Sequence, residues 1–183
     1  MPSIQHSGTH FILRTLGGNS AKLKPSDKSR FNTSKLIIWP RKGYKLLQGH
    51  FDYARADTLL RMSRHMKTVI PLRHPALIAV SWKKRGPARW RSNNFLEQWL
   101  KMCEVKDAFY FPLETMPFDE LEDFTGLTVN RTDRAFGSIG DYPEKRDLKT
   151  ARDFLGDDWA LVEEALETQV GRKFYSAPLC GLR

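Results

Sequence analysis

Apolar residues in this chain come in short runs, and their brevity limits the folds open to it. The longest, such as Leu36-Ile37-Ile38-Trp39 and Ala76 to Val80, fall far short of the ~20 residues a membrane helix needs. Strands are expected at Leu36 to Trp39, closed by Pro40, and at Tyr44 to Leu47, ending at Gly49-His50. Two more are expected at Lys67 to Arg73 and Ala108 to Phe111. Helical spacing falls between them. Thr9 to Leu16 carries Phe11, Ile12 and Leu16 toward a core and stops at Gly17-Gly18-Asn19. Tyr53 to Met66 can form a basic helix, and Pro75 opens another through Ser81 and Trp82, broken by Gly86-Pro87. Asn94 to Glu104 places Phe95, Leu96, Trp99, Leu100 and Cys103 on one face. Phe118 to Phe124 ends at Gly126, and Trp159, Val162, Leu166 and Val170 mark one last amphipathic helix. Residues 19–34 and most of 128–149 read as loop. Strands alternating with helices predict an α/β, three-layer sandwich around a mostly parallel central sheet.

The 183 residues suit a single domain that buries a core without disulfide or metal staples. Two distant cysteines, Cys103 and Cys180, and no hydrophobic leader point to a reducing, cytoplasmic setting. The charge divides unevenly. Residues 1–91 hold 19 Lys and Arg against 3 Asp and Glu, a net +16. Residues 92–183 hold 11 against 18, a net −7. A first half that basic suits an anionic partner: a nucleotide, a nucleic acid, or a sulfated or phosphorylated polymer. The plainer alternative is a basic solvated surface.

Three segments can carry chemistry. The first is Gln5-His6-Ser7-Gly8-Thr9-His10, where a strand would run through a Gly turn into a helix. That geometry aims unpaired N–H groups and a positive helix end at one point, which suits phosphate or sulfate. It is not a Walker A sequence, and a capped β–α turn is the plainer reading. The second is Leu72-Arg73-His74-Pro75 with Ser81 eight residues after Arg73. A strand-end guanidinium and a helix hydroxyl can converge on one anion. The alternative is Arg73 compensated by a nearby carboxylate and Ser81 merely solvated. The third is His50, which follows a short apolar segment and can accept a proton at neutral pH. Lone histidines are more often structural. Zinc on His6, His10 and His50 is allowed by spacing, but no adjacent Cys or carboxylate strengthens it, so no metal is expected. Lys83-Lys84-Arg85 and Arg89-Trp90-Arg91 raise nucleic-acid binding as a rival, without an accompanying nucleic-acid motif.

At these residues the chain resembles the sulfotransferase family that uses 3′-phosphoadenosine 5′-phosphosulfate. Ser7-Gly8-Thr9-His10-Phe11-Ile12 is similar to the family's 5′-phosphosulfate loop, Lys-Ser-Gly-Thr-Thr-Trp-Leu. Arg73-His74-Pro75 to Ser81-Trp82 resembles its Arg-[Asn/Asp]-Pro to Ala-Val-Ser-Tyr segment, whose Arg and Ser hold the 3′-phosphate. Gly49-His50-Phe51 falls where many members carry a catalytic histidine. Phe111-Pro112-Leu113-Glu114 and Phe124-Thr125-Gly126-Leu127 resemble the later Tyr-Glu-Asp-Leu and Phe-Leu-Gly-Leu pattern. The likeness runs from residue 4 to about 127.

The resemblance implies a P-loop-like sulfotransferase fold and sulfonate transfer to a hydroxyl or amine of a small-molecule or glycan acceptor. It assigns His50 and His6 to catalysis. It assigns Ser7, Gly8, Thr9, His10, Phe11, Arg73 and Ser81 to the donor, with no metal. Two family lysines are replaced, one by His6 and one by Gln48. Arg172-Lys173-Phe174 lacks the glycine of the family's Arg-Lys-Gly segment. These replacements keep open an alternative: a catalytically impaired protein of the same fold that binds a nucleotide or nucleic acid through its basic half.

Overall fold

The computed structural model describes residues 2–3, 11–12, 15–16, 29–30, 37–41, 44–50, 60–61, 63–85, 94–131 and 147–175. The run Thr68–Leu72 forms a strand buried along its whole length. Such a strand needs cover on both faces, and side-chain alternation supplies it. Ile70 and Leu72 enter one apolar cluster, whereas Val69 enters another. The parallel neighbour Ala108–Pro112 divides the same way, with Ala108 and Tyr110 on the first side and Phe109 and Phe111 on the second. The chain is thus a mixed α/β protein.

We number the strands β1 (Pro2–Ser3), β2 (Ser29–Arg30), β3 (Ile37–Arg41), β4 (Tyr44–His50), β5 (Thr68–Leu72) and β6 (Ala108–Pro112). β1 pairs in parallel with β4, Ser3 opposite His50. Cα atoms of β1 also come within 8 Å of β5. β3 pairs antiparallel with both β4 and β2. The pairing is therefore mixed, where the sequence predicts a mostly parallel sheet. Two expectations shift here. β2 lies inside the segment read as loop, and β3 runs through Pro40 instead of ending before it. The described residues of β2 lie opposite Ile37 and Ile38.

The helices are α1 (Pro75–Arg85), α2 (Asn94–Cys103), α3 (Phe118–Thr125), α4 (Leu148–Leu155), α5 (Trp159–Glu167) and α6 (Gln169–Tyr175). The first cluster joins α1, α2, α4, α5 and α6 against Ile70 and Leu72. The second holds Phe11, Ile12 and Leu16 with Phe111, Leu121 and Val129. Each fully buried large apolar side chain contributes roughly 1.5–3 kcal/mol, so these two clusters hold the strand pair in place. Residues 11–12 and 15–16 are helical, as the spacing of Phe11, Ile12 and Leu16 predicts. Asn130 N–H donates to Thr15 O at 2.9 Å and ties this segment to the chain after α3.

The α2 face differs from expectation. Phe95, Trp99 and Met102 are buried, whereas Leu100 is 42% exposed. A helix turns ~100° per residue, so a stripe centred on Phe95, Trp99 and Met102 leaves Leu100 at its edge. The last helix is also broken. α4 begins at Asp147, whose carboxylate accepts from Thr150 N–H at 2.7 Å, inside the expected loop. Gly156 (φ 57°) ends α4, and extended backbone at Thr168 separates α5 from α6. Arg172-Lys173-Phe174 lies within α6. Among the described residues, no helix is long and apolar enough to cross a membrane.

Candidate functional site

Parallel pairing carries the ends of β5 and β6 to one place. Leu113 N–H donates to Leu72 O at 3.0 Å, extending the ladder past β6 and bringing Glu114 alongside His74. Ligand crevices in α/β proteins open at such strand ends. Arg73 leaves β5 there, and α1 starts two residues later at Pro75.

His74 caps α1. Its Nδ1 accepts from Ala76 N–H at 3.2 Å, and its carbonyl accepts from Leu77 N–H and Ile78 N–H. This is the work an Asn or Asp side chain does at an N-cap, with Pro at the following position. The His74 N–H donates to Glu114 Oε1 at 2.8 Å. The Tyr175 hydroxyl, from the end of α6, donates to Glu114 Oε2 at 3.3 Å. The Tyr175 ring meets the His74 imidazole edge-on at 5.1 Å.

Four ionisable groups are thereby withdrawn from water. Burial lowers the pKa of Arg73, and the charges of Glu114 and Tyr175 pull it back up. Burial raises Glu114, opposed by the His74 N–H, its own backbone N–H, the charge of Arg73 and the Tyr175 hydroxyl. Burial drives His74 down to about 4, so its imidazole is neutral at pH 7 and Nδ1 is free to accept. Tyr175 is raised by burial first and by Glu114 second. Glu114 is thus the shared anchor of a strand end, a helix start and a helix end. Arg73 and Glu114 thus stand as opposite charges in one buried cluster, and Glu114 opposes the loss of the guanidinium's proton.

The other residues singled out in the sequence fall as follows. Ser81 is 2% exposed, and its hydroxyl donates to Leu77 O at 2.9 Å, so it is neither solvated nor a free donor. The Phe11 ring is core, 6.2 Å from Phe111 and 6.4 Å from Phe118. Its side chain holds the segment in place, and only its backbone could meet a ligand. His50 ends β4 beside Ser3, where the backbone alone is described. His6, Ser7, Gly8, Thr9 and His10 lie outside the described residues. Of the basic run, Lys83 is committed to Asp158 at 2.6 Å and to Leu155 O at 2.9 Å. Lys84 lies over the Phe154 ring. The Arg85 side chain and Arg89-Trp90-Arg91 lie outside the described residues. Among the described residues no group of three His, Cys, Asp or Glu could hold a metal.

Sequence reasoning missed Tyr175; it offered a nearby carboxylate for Arg73 as the plainer alternative, without identifying it as Glu114. Glu114 had a signal, because it follows an apolar run as Arg73 does, and parallel strands align such ends. Tyr175 had none, since its position depends on the break at Thr168. Comparison with family models, curated proteins and solved structures finds no match for this chain.

Proposed function

We propose that this chain transfers a sulfonate group from 3′-phosphoadenosine 5′-phosphosulfate to a hydroxyl or amine acceptor, on a P-loop-like, three-layer fold. The observation that carries the proposal is strand adjacency. β1 pairs with β4 so that Ser3 meets His50, and β1 lies within 8 Å of β5, which ends at Leu72, next to Arg73. His50 and Arg73 therefore stand at the ends of strands that neighbour β1, and in sequence the His6–His10 segment follows β1.

Arg73 would meet the donor's 3′-phosphate with a two-pronged guanidinium, and Glu114 opposes the loss of its charge on burial. Ser81 fits less well: its hydroxyl must rotate away from Leu77 O before it can donate to a phosphate. The bend from His6 to His10 would supply backbone N–H groups to the sulfonate. His50 would take the acceptor's proton as its oxygen or nitrogen bonds to sulfur and the sulfur–phosphate oxygen bond breaks. The chain's residues can do this without a metal.

3′-Phosphoadenosine 5′-phosphate is expected to raise the melting temperature well above the shift produced by AMP or ATP. Equal shifts from all three would defeat the proposal. Arg73→Ala should erase the preference for the 3′-phosphate, a loss of about tenfold or more in affinity. His50→Ala should leave nucleotide binding intact and cut sulfonate transfer by about 100-fold or more. Binding without transfer in the unaltered chain would favour the catalytically impaired alternative.

A further inference from the structure

Next to the Arg73–Glu114 cluster lies an open groove of about 470 Å³ between β6, the start of α3 and α6. A single aromatic ring fits a space of that size. Its walls are apolar and fixed. Tyr110 and Phe174 line it with ring centroids 5.9 Å apart. The Tyr110 hydroxyl donates to Met102 O at 3.1 Å, which pins the ring. Lys173 lies over the Phe174 ring at 5.2 Å.

The polar lining is sparse and balanced. Glu114 and Tyr175 line the groove, and Tyr175 spends its hydroxyl proton on Glu114. The Glu114 oxygens accept from His74 N–H, from the Tyr175 hydroxyl and from Glu114's own backbone N–H, and a carboxyl group has acceptor capacity for one more bond. Glu120 and Lys173 also line the groove with opposite charges, and Arg73 offsets Glu114. A guest with net charge would meet no uncompensated partner. A neutral guest that donates a hydrogen bond would meet a fixed carboxylate acceptor.

We infer that this groove is a binding site for a small, uncharged aromatic ring bearing an O–H or N–H donor, with Glu114 as the acceptor. The ring lies against Tyr110 and Phe174. This site does not depend on sulfonate transfer, because it is defined by residues outside the segments that would hold the donor.

The test titrates the whole chain, without nucleotide, with phenol and aniline and with their methylated counterparts anisole and N,N-dimethylaniline. Phenol and aniline are expected to bind about tenfold tighter than the methylated pair, since only they can donate to Glu114. Glu114→Gln should shrink that preference. Thr115 lines the groove and is exposed, so Thr115→Trp should fill it and abolish binding with an unchanged melting temperature. This second variant decides the matter if Glu114→Gln does not fold. Equal binding of phenol and anisole, or phenol binding untouched by Thr115→Trp, would overturn the inference. Nucleotide shifts measured separately report on the transfer proposal, so either can fail alone.

Discussion

Gly171→Ala is expected to destabilise the chain by about 3 kcal/mol or more, against the usual sign of such a change. Alanine ordinarily favours a helix over glycine by roughly 1 kcal/mol. Here the added Cβ would stand 2.5 Å from Leu166 O and 2.6 Å from Leu166 Cα, and would press on Ala165 O as well. All three are backbone atoms at the end of α5, so no side chain can swing aside. Overpacking of this kind costs about 1–3 kcal/mol and sometimes more.

The damage would reach further, because the α5–α6 junction turns on Thr168. Its Oγ1 donates to Ala165 O at 2.6 Å and accepts from Gly171 N–H at 3.1 Å and from Trp99 Nε1–H at 3.0 Å. Trp99 is fully buried on α2. Pushing α6 outward strains this junction and draws Tyr175 away from Glu114. Thermal unfolding should show a fall of about 10 °C. An unchanged or raised midpoint would mean that α6 does not sit against α5 as described.

That junction also shows where sequence stops being a guide. β5, α1, β6 and α3 were legible because each is a local statement: a short apolar run, a proline at a helix start, a glycine at a helix end. Gly126 adopts the left-handed conformation (φ 71°) that such an ending requires. The break at Thr168 was not legible, since Val162, Leu166 and Val170 keep a helical period across it. At the break the Thr168 hydroxyl caps α6 by accepting from Gly171 N–H, and a tertiary bond from Trp99, 69 residues away, holds that oxygen. The start of α4 was legible in principle from Asp147 and Thr150, but the polar residues before it mask the cap. The pairing of β3 with β4 was missed because apolar runs announce strands without announcing direction. The candidate site divides similarly. Arg73 is visible at the end of its strand, whereas its electrostatic surroundings depend on a neighbouring strand end and on a helix about 100 residues later. Burial of charge is a property of the assembled layers, and no local pattern records it.

His74 converts that burial into a measurable pH dependence. Its pKa falls from an ordinary 6.5 to about 4 in the folded chain, and its side chain sits in a residue only 2% exposed. At pH 7 the imidazole is neutral folded or unfolded. Below about pH 6.5 the unfolded chain takes up a proton that the folded chain refuses until near pH 4. The unfolded state then binds more protons, so stability falls as pH falls through this window. The full loss is about 3 kcal/mol, a large share of the 5–15 kcal/mol that holds a typical domain together. Glu114, raised by burial, works in the opposite direction, and Arg73 and Tyr175 hold their protons throughout the window. Asp147 and Glu122, both lowered, add their own loss on acidification. His74→Asn separates these contributions, because asparagine can cap α1 as the imidazole does but does not titrate. Urea unfolding of both chains should find the variant's stability relative to the parent improved by about 3 kcal/mol on going from pH 7 to pH 4. The same offset at both pH values would show that His74 is not the buried, neutral cap from which the strand-end cluster is built.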